Sequence, residues 1–382
     1  MERKLRMGMV GGGIGSFIGP VHRIAASIDN KIELVSGAFS STKDKSLLSG
    51  KNLFLDQDRI YGNFQEMFQK EKALSSDTRI DFVSIVTPNN SHYEIIMEAL
   101  DSGFHVVCDK PITINSQQSI EVEKKVLETK KLFCLTHNYT GYPMVKEAKD
   151  MIYDNHLGNI RKIVVEYPQG WLATRIEGDT LVWRTNPQIA GISSCMGDIG
   201  THCENLVQYI TGLEIVELCS DLSSFVENRE LDDDASVLIR FNNGAKGILW
   251  ASQIAVGQEN GLNIRIFGEK GSIAWRQENP NVLQVDWLEK PREIRTTASS
   301  FVGESSLANT RIPAGHPEGF LEAFANIYNN FANELSDLIS GKEVIGHKEY
   351  DYPKVQDGVR GMKFLEAVVK SSENRNQWVK IS

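Results

Sequence analysis

The sequence predicts an α/β protein with an N-terminal parallel sheet covered by helices and a C-terminal α+β domain with a large, mostly antiparallel open sheet. From the start to about Asn138, short apolar segments alternate with helix-like segments, which is typical of a parallel sheet with helices on both faces. After Tyr139, strand-like segments follow one another, which is typical of an antiparallel sheet. The 382 residues suit about two or three domains, and we expect domains at 1–139 and 140–382.

The first domain is predicted to alternate strands with helices. Apolar runs predict strands at Leu5–Val10, Ile32–Phe39, Ile80–Thr87, His105–Cys108 and Leu132–Thr136. Apolar residues at helical spacing predict helices at Val21–Ile28, Phe64–Lys70, Ser91–Ser102 and Ser116–Lys130. Ligands of such sheets bind beyond the carboxyl ends of the strands, so we expect Gly11, Thr87 and Lys110 at one crevice.

The second domain is predicted to begin with the helix Met144–Asn155 and to end with the helices Phe320–Ile339 and Val355–Ser372. The strands predicted between them are Ile160–Tyr167, Ile215–Phe225, Ser236–Phe241, Gly247–Ile254, Leu262–Phe267, Ser272–Trp275 and Val282–Trp287. The segment Thr296–Pro317 is rich in Ser, Gly and Thr and is predicted to be a long loop, either functional or mobile. A lid over the site is one interpretation of this loop.

Composition and charge argue against several classes of function. A net charge of −9 without a long basic run argues against nucleic acid or an anionic membrane as the main partner. No uninterrupted apolar stretch of about 18 residues occurs, so a membrane span is not expected. The cysteines form no C-x-x-C pair and are typical of reduced thiols in the cytoplasm. No Cys/His cluster or H-E-x-x-H pattern predicts a metal site.

A glycine-rich turn follows the first predicted strand. In Gly11-x-Gly13-x-x-Ser16 the small residues let the backbone approach a pyrophosphate, and the next helix offers unpaired N–H groups. The turn therefore predicts a Rossmann domain that binds NAD or NADP. A flexible turn without a ligand is the alternative.

The end of the second predicted strand leaves the choice between NAD and NADP open. NAD sites usually place Asp or Glu there to bind the adenosine ribose. Here Phe39, Ser40 and Ser41 occupy the region, and Thr42 and Lys43 follow. Hydroxyls and an ammonium can accept a ribose phosphate, and exposed loop residues are the other interpretation.

Lys110, Asp198 and His202 are the candidate catalytic residues. Lys110 directly follows a predicted strand, whereas Asp198 and His202 are four residues apart and share one face if the segment is helical. When a cofactor accepts the hydride, the protein must position the alcohol and manage its proton. A histidine is the usual base, a carboxylate beside it stabilises the charged ring, and an ammonium favours the alkoxide. Either Lys110 or His202 can take the proton, and an Asp198 N-cap beside a packed His202 is the alternative.

Four motifs in this order resemble the Gfo/Idh/MocA family of sugar and cyclitol dehydrogenases. They are the glycine turn, Val86-Thr87-Pro88-Asn89-x-x-His92, Asp109-Lys110-Pro111 and Asp198-x-x-x-His202, and together they span nearly the whole chain. The resemblance implies a Rossmann domain, a substrate domain with an open sheet, and a nicotinamide near Lys110. The predicted cofactor-binding residues are Gly11, Gly13, Ser16, Phe17, Ile18, Ser40, Ser41, Lys43, Thr87, Pro88, Asn89, His92, Asp109, Lys110 and Asn138.

The sequence departs from the family pattern in two further places. Asp109 stands where the family has Glu, and the turn between Gly11 and His22 is three residues longer than usual. Gly19 is therefore a candidate for the displaced third glycine. The extended turn, Trp183-Arg184 and Gly315-His316-Pro317 resemble the branch that includes levoglucosan dehydrogenase.

Polar and aromatic residues near these motifs suit a sugar. Aromatic rings cover the apolar face of a pyranose, and buried polar groups pair with its hydroxyls. Core packing of the same aromatic residues is the alternative. The predicted substrate-binding residues are Lys110, Tyr139, Gln169, Trp171, Trp183, Arg184, Asp198, His202 and His316.

These observations predict an NAD(P)-dependent dehydrogenase that oxidises a secondary ring hydroxyl of a sugar, anhydrosugar or cyclitol to a ketone. A glycosidase of the same fold, which works by oxidation and elimination, is one alternative, and a non-catalytic sugar or nucleotide sensor is another. The resemblance also implies a homodimer or homotetramer. Ile248, Trp250 and Ile254 share a parity suited to an open sheet face, although core packing explains it equally well.

Overall fold

The computed structural model describes residues 3–175, 183–342, 344 and 350–381. The chain forms two compact units: Met1–Thr113, Gln117–Asn138 and Phe320–Val359 make up the first, and Ile114–Ser116, Tyr139–Gly319 and Arg360–Ser382 the second. The units thus differ from domains at 1–139 and 140–382 mainly because 320–359 belong to the first unit and 114–116 to the second. Independent domains at 1–139 and 140–382 stay a prediction.

The first unit is built on a parallel sheet of five strands in the order β2-β1-β3-β4-β5. The strands are β1 (Leu5–Gly11), β2 (Ile32–Ala38), β3 (Phe82–Val86), β4 (His105–Cys108) and β5 (Phe133–Leu135). After β2 the chain crosses to the other side of β1, so β1 and β3 form the switch point where ligands of such sheets bind. The predicted parallel sheet is confirmed.

Helices alternate with these strands, at Ile18–Ile28, Lys43–Asn52, Phe64–Ala73, His92–Asp101 and Ser116–Thr129. Sequence analysis missed the helix Lys43–Asn52. Its buried residues are only Ser46, Ser49 and Gly50, so it has no apolar stripe to reveal it.

The helix Phe320–Ile339 has the predicted bounds and belongs to the first unit. Its apolar face packs into the core formed by β1 and β3, where the rings of Phe331 and Phe82 lie 5.1 Å apart. Burial of this stripe explains why a helix so late in the chain groups with the N-terminal sheet.

The second unit is built on a sheet of nine strands in the order β13-β12-β11-β10-β6-β9-β8-β7-β14. The strands are β6 (Ile160–Pro168), β7 (Ile215–Ser223), β8 (Asp234–Phe241), β9 (Lys246–Ser252), β10 (Asn263–Gly268), β11 (Gly271–Arg276), β12 (Val282–Trp287), β13 (Glu293–Thr296) and β14 (Val379–Lys380). Only the β6–β9 pair is parallel among these described strands, so the predicted mostly antiparallel sheet is confirmed. The short edge strands β13 and β14 were not predicted.

Further helices lie at Pro143–Tyr153, Pro187–Ala190, Thr201–Thr211, Glu304–Ala308 and Val355–Glu373. The last of these has residues in both units, because the boundary falls after Val359. None of the helices in the described ranges combines the length and apolarity needed to cross a bilayer.

The segment Thr296–Pro317 is more ordered than the predicted loop, since it contains the short helix Glu304–Ala308. The buried carboxylate of Glu147 holds the chain on both sides of the first part of this segment. It accepts hydrogen bonds from the guanidinium of Arg295 (2.5 Å), just before the segment, and from the N–H of Gly303 (2.6 Å), just before the helix. A lid role for this segment stays a prediction.

Candidate active site

The glycine turn of the first unit leaves no room for a side chain at Gly11 or Gly13. Gly11 ends β1 with φ +84°, and a Cβ there would lie 2.8 Å from the carbonyl oxygen of Val86. A Cβ on Gly13 would lie 2.6 Å from the carbonyl oxygen of Phe39. The turn therefore presents backbone at the switch point, as a pyrophosphate cradle requires.

Gly19 is the glycine that permits close packing between the first helix and the turn. A Cβ on Gly19 would lie 2.4 Å from Cα and O of Gly12. The hydroxyl of Ser16 instead accepts a hydrogen bond of 3.1 Å from the N–H of Gly19. Phe17 is 76% exposed, and Ile18 begins the helix. The geometry thus gives the role of third glycine to Gly19 rather than Ser16.

Beyond β2 the chain presents hydroxyls and an ammonium, and residues 39–43 contain no carboxylate. Ser40 Oγ accepts a hydrogen bond of 3.3 Å from the N–H of Thr42, while Ser41 and Lys43 are exposed. Phe39 is buried, and its side chain has no polar group. The end of β2 therefore differs from the usual acidic ribose site.

Asp109 supports the loop that carries Lys110. Its Oδ1 accepts hydrogen bonds from the N–H of Lys110 (2.9 Å) and the hydroxyl of Thr136 (3.0 Å). Asn138 follows β5 and is buried, and its Nδ2 finds no hydrogen-bond acceptor within the described residues. A buried donor without an acceptor is costly, so this amide fits a polar group of a bound cofactor.

His92 joins the two loops that carry Thr87 and Lys110. The imidazole is fully buried, with Nε2 2.8 Å from the carbonyl oxygen of Thr87 and Nδ1 2.8 Å from that of Pro111. Burial lowers the pKa of His92. A direct contact of His92 with a cofactor stays a prediction. Pro88 is exposed and Asn89 is buried in the same loop.

Sequence analysis missed a buried polar cluster next to Asp109. Nδ1 of His22 lies 2.7 Å from the hydroxyl of Tyr328, which lies 2.9 Å from Oγ of Ser84. Nε2 of His22 lies 4.0 Å from Oδ1 of Asp109. Burial lowers the pKa of His22 to about 4, so the imidazole is neutral at physiological pH. Tyr328 belongs to the helix Phe320–Ile339, and no local motif reveals this pairing.

In the second unit, Asp198 lies in the π-helical turn Met196–Gly200, and His202 lies in the α-helix Thr201–Thr211 that follows. The interpretation of Asp198 as an N-cap is therefore wrong, because helical backbone already begins before it. Single π turns within helices are frequent at functional sites. His202 is buried, and the side chain of Asp198 is 23% exposed.

The side chains of Gln253 and Arg184 both approach the carboxylate of Asp198. Nε2 of Gln253 donates a hydrogen bond of 3.0 Å to Oδ2, and Nε of Arg184 lies 3.7 Å from the same oxygen. The guanidinium of Arg184 also lies 4.3 Å from the ring centroid of Trp183 and 5.8 Å from that of Trp171. Asp198, Arg184 and two predicted aromatic residues are thus brought together.

The rings of two tyrosines, Tyr139 and Tyr167, lie next to His202. The rings of Tyr139 and His202 meet edge to face with centroids 4.8 Å apart. The hydroxyl of Tyr139 contacts that of Tyr167, which donates a hydrogen bond of 2.7 Å to Oδ1 of Asn260. Burial raises the pKa of Tyr139 to about 12, and the charge of Asp198 acts in the same direction. Tyr139 is therefore a neutral phenol over the ordinary working range of pH.

Gln169 connects the phenols to the tryptophans. Its Nε2 donates to Oδ1 of Asn260 (2.8 Å), and its Oε1 accepts from Nε1 of Trp171 (2.9 Å). His316 is exposed, and its Nδ1 lies 3.1 Å from the carbonyl oxygen of Pro313 in its own loop. No hydrogen bond or ring contact within the described ranges joins His316 to the other predicted residues of this unit.

These residues form what we call the polar wall of the second unit: Tyr139, Tyr167, Gln169, Trp171, Trp183, Arg184, Asp198, His202, Gln253 and Asn260. Sequence analysis missed Tyr167, Gln253 and Asn260. Tyr167 looked like an ordinary strand residue, and neither amide belongs to a motif. Over the part of the chain that the structure describes, no group of three His, Cys, Asp or Glu residues is arranged to hold a metal.

Comparison with known proteins agrees with this geometry. Residues 5–137 match a family described as oxidoreductase family, NAD-binding Rossmann fold, and residues 145–274 match the GFO/IDH/MocA C-terminal domain. An uncharacterized oxidoreductase from Bacillus subtilis, YfiI, is 36% identical over 99% of this chain and 97% of its own length.

Two relatives have more informative names. Levoglucosan dehydrogenase from Pseudarthrobacter phenanthrenivorans is 28% identical over 79% of this chain and 81% of its own length. The crystal structure of an inositol dehydrogenase homolog from Azotobacter vinelandii, complexed with NAD+, superimposes with a TM-score of 0.95 at 32% identity, covering 100% of this chain and 98% of that one. The first region of this chain is therefore an NAD-binding Rossmann domain.

Proposed function

The chain belongs to the GFO/IDH/MocA family of oxidoreductases, and we propose that it oxidises a secondary ring hydroxyl of a sugar, anhydrosugar or cyclitol to a ketone. The observation that carries the proposal is the polar wall, in which Asp198 and His202 lie among phenols, indoles and amides. Such a surface suits a ring that has apolar faces and many hydroxyls. The names of the levoglucosan and inositol relatives support the same substrate class.

The first unit supplies the residues that would hold the cofactor. The backbone at Gly11 and Gly13 would cradle the pyrophosphate, and Ser40, Ser41 and Lys43 lie where the adenosine ribose is expected. Phe17, Ile18, Thr87, Pro88, Asn89 and Asn138 are the other proposed contacts of the cofactor. Bound NAD(P)+ would accept the hydride.

We assign the proton chemistry to Lys110, Asp198 and His202. The ammonium of Lys110 would stabilise the alkoxide as the hydroxyl loses its proton. His202 would act as the base, and the carboxylate of Asp198 would stabilise the imidazolium that forms. Tyr139 packs its ring on His202 and stays neutral, so it would orient the imidazole and offer a hydroxyl to the substrate.

Purified enzyme assayed with NAD+ and NADP+ against a panel of sugars, anhydrosugars and cyclitols tests this function. We expect NAD(P)H formation with at least one member of the panel. Lys110→Met and His202→Ala should each lower kcat by roughly 10²–10⁴-fold. Lys124→Met and His156→Ala change exposed residues and serve as matched controls.

Near wild-type turnover in both Lys110→Met and His202→Ala would contradict the assignment. Cleavage of an aryl glycoside without net NADH formation would identify the glycosidase instead. Cofactor binding without any change to a carbohydrate would identify a sensor.

We also propose that the chain forms a homodimer or homotetramer through the outer face of its nine-stranded sheet. On this face Leu238 is 50%, Phe267 38% and Ile248 37% exposed, although the next residue, Leu249, is fully buried. The strand register aligns Ile248 with Leu238 and with Val164 of the neighbouring strands. A monomeric mass by light scattering at working concentration would refute this, and Ile248→Glu should weaken the assembly.

We place the protein in the cytoplasm. The cysteines at 108, 134, 195, 203 and 219 are all free thiols. Thiols persist in a reducing compartment. Fractionation of cells that express the protein would check this location.

A further inference from the structure

The side chain of Gln253 contacts the carboxylate of Asp198. The residue follows β9, its side chain is fully buried, and its Nε2 donates the 3.0 Å hydrogen bond to Oδ2 of Asp198. Its backbone is also fixed, because its N–H donates to the carbonyl of Asp233 (2.8 Å) and its carbonyl accepts from the N–H of Leu172 (3.0 Å). The sheet therefore holds the amide in place against Asp198.

The other atom of the amide shows why a glutamine matters here. Oε1 of Gln253 is buried and has no hydrogen-bond donor within the described residues. A buried acceptor without a donor is unfavourable, and an apolar side chain of similar size would avoid the penalty. We therefore attribute the presence of an amide at this position to the hydrogen bond that its Nε2 makes with Asp198.

The same edge of the sheet holds the backbone that carries Asp198. The carboxylate of Asp232 accepts hydrogen bonds from the N–H groups of Ser194 and Met196, both of 2.9 Å, just before the π turn. Asp232 precedes β8, and the first residue of β8 pairs with Ser252, the neighbour of Gln253. Two adjacent strand ends thus fix the main chain and the side chain of one catalytic segment.

We propose that Gln253 is a positioning residue that fixes the orientation of the Asp198 carboxylate towards His202. The inference rests on the proposed function. Arg184 approaches the same oxygen at 3.7 Å, so the guanidinium would compete with His202 for the carboxylate once the amide is removed. A carboxylate displaced in this way is a poorer partner for an imidazolium, and small displacements of catalytic groups are costly.

Gln253→Glu gives the sharpest test. It keeps the shape of the side chain, but its ability to donate a hydrogen bond to Asp198 depends on pH. The ionised carboxyl repels Asp198, whereas the protonated form donates a hydrogen bond as the amide does. The charged and titratable groups near this pair include Arg184, His202, Tyr139, Tyr167, Cys195, Asp232 and Asp233, and the carboxylate of Asp233 is paired with Arg229.

We expect kcat of Gln253→Glu to fall roughly 10- to 100-fold at pH 8 and to recover towards the wild-type value as the pH is lowered. Gln253→Leu should lose a similar factor at every pH, and KM for the cofactor should not change in either variant. Gln258→Glu places the same charge on an exposed residue nearby and should behave as wild type. A ratio of wild-type to Gln253→Glu kcat that does not vary with pH would overturn the inference.

A double-mutant cycle in thermal stability tests the contact without any assay of turnover. At pH 8 we expect Gln253→Glu to lower Tm, and to lower it less when Asp198 is already replaced by Asn, because the like-charge pair is then absent. A strictly additive cycle would overturn the inference. If the wild-type protein oxidises no carbohydrate, the proposed function fails, and this cycle still decides whether Gln253 acts on Asp198.

Discussion

The glycine turn of the first unit and the polar wall of the second unit present different chemical groups. The turn offers backbone, and Gly11, Gly13 and Gly19 matter because a side chain would not fit. The wall offers side chains that hold one another, such as Gln253 on Asp198 and Tyr139 on His202. A backbone site suits a cofactor shared by many enzymes, whereas a side-chain site suits a substrate specific to one.

This difference predicts that changes in the two units affect different kinetic constants. A change in the turn should act on cofactor affinity and on stability. A change in the wall should act on turnover and on substrate affinity.

Among the variants that test this separation, the largest effect is expected from Asp198→Asn. The amide keeps the shape of the side chain and removes the charge that would stabilise an imidazolium, so kcat should fall roughly 10²–10³-fold. Asp221→Asn, at an exposed position of β7, is the matched control. Fluorescence titration with NADH should give an unchanged Kd, and a weaker Kd with unchanged kcat would contradict the separation.

Acid should destabilise the protein through buried histidines of the first unit. Burial lowers the pKa of His22 to about 4 and of His105 to about 3. Above pH 6.5 both imidazoles are neutral whether the chain is folded or unfolded. Below pH 6.5 the two histidines bind protons in the unfolded chain but not in the folded chain. The free energy of unfolding therefore falls with pH until the pKa of the folded state is reached. At pH 5 each of the two histidines should have lowered the free energy of unfolding by on the order of 2 kcal/mol.

Urea unfolding at pH 7.5 and pH 5 measures this loss. His22→Gln should show a smaller loss between the two pH values than wild type, because its side chain does not titrate. His156→Ala removes an exposed imidazole and should leave the loss unchanged. An equal loss in wild type and His22→Gln would show that His22 is not responsible.

Most strands and helices were predictable because each depends on the pattern of a short stretch of sequence. The helix Phe320–Ile339 has an apolar stripe and was predicted to the residue, whereas Lys43–Asn52 buries only small residues and was missed. The grouping of Phe320–Ile339 with the N-terminal sheet was not predictable, since it depends on contacts such as Phe331 with Phe82 that no local pattern records.

The residues of the candidate site can be divided in the same way into those that the sequence predicts and those that it does not. The motifs identified the glycine turn and the positions of Asp198 and His202, because these are local in sequence. Gln253 and Asn260 lie on the loop between β9 and β10 and reach Asp198 and Gln169 only through contacts between distant parts of the chain, so no spacing reveals them. The length of the turn makes Gly19 a candidate for the third glycine. The structure adds the reason, because Gly19 lies so close to the backbone of Gly12 that a Cβ would not fit.

Gly19→Ala tests the cofactor side of the comparison. The added methyl group would meet the backbone of Gly12 at 2.4 Å, so the turn must move. Overpacking of this kind costs about 1–3 kcal/mol, which should appear as a lower urea midpoint. We also expect weaker NADH binding with little change in kcat at saturating cofactor. Gly103→Asn is the control, because that glycine precedes the start of β4 at the other end of the sheet, faces open space, and has a positive φ that Asn tolerates. Unchanged Kd and stability in Gly19→Ala would refute the close packing.

Tyr139→Phe should have the smallest effect and tests the polar wall. The ring remains and keeps its packing on His202, while the hydroxyl that contacts Tyr167 and Asn260 is lost. Loss of one such hydrogen bond costs about 0.5–1.5 kcal/mol. The same hydroxyl is the one proposed to meet the substrate, so KM for the sugar should rise several-fold while cofactor affinity stays constant. Because the pKa of Tyr139 is about 12, the variant should keep the wild-type pH profile below pH 10. A shifted profile would instead make Tyr139 a proton donor or acceptor in the reaction, which the buried, neutral phenol argues against.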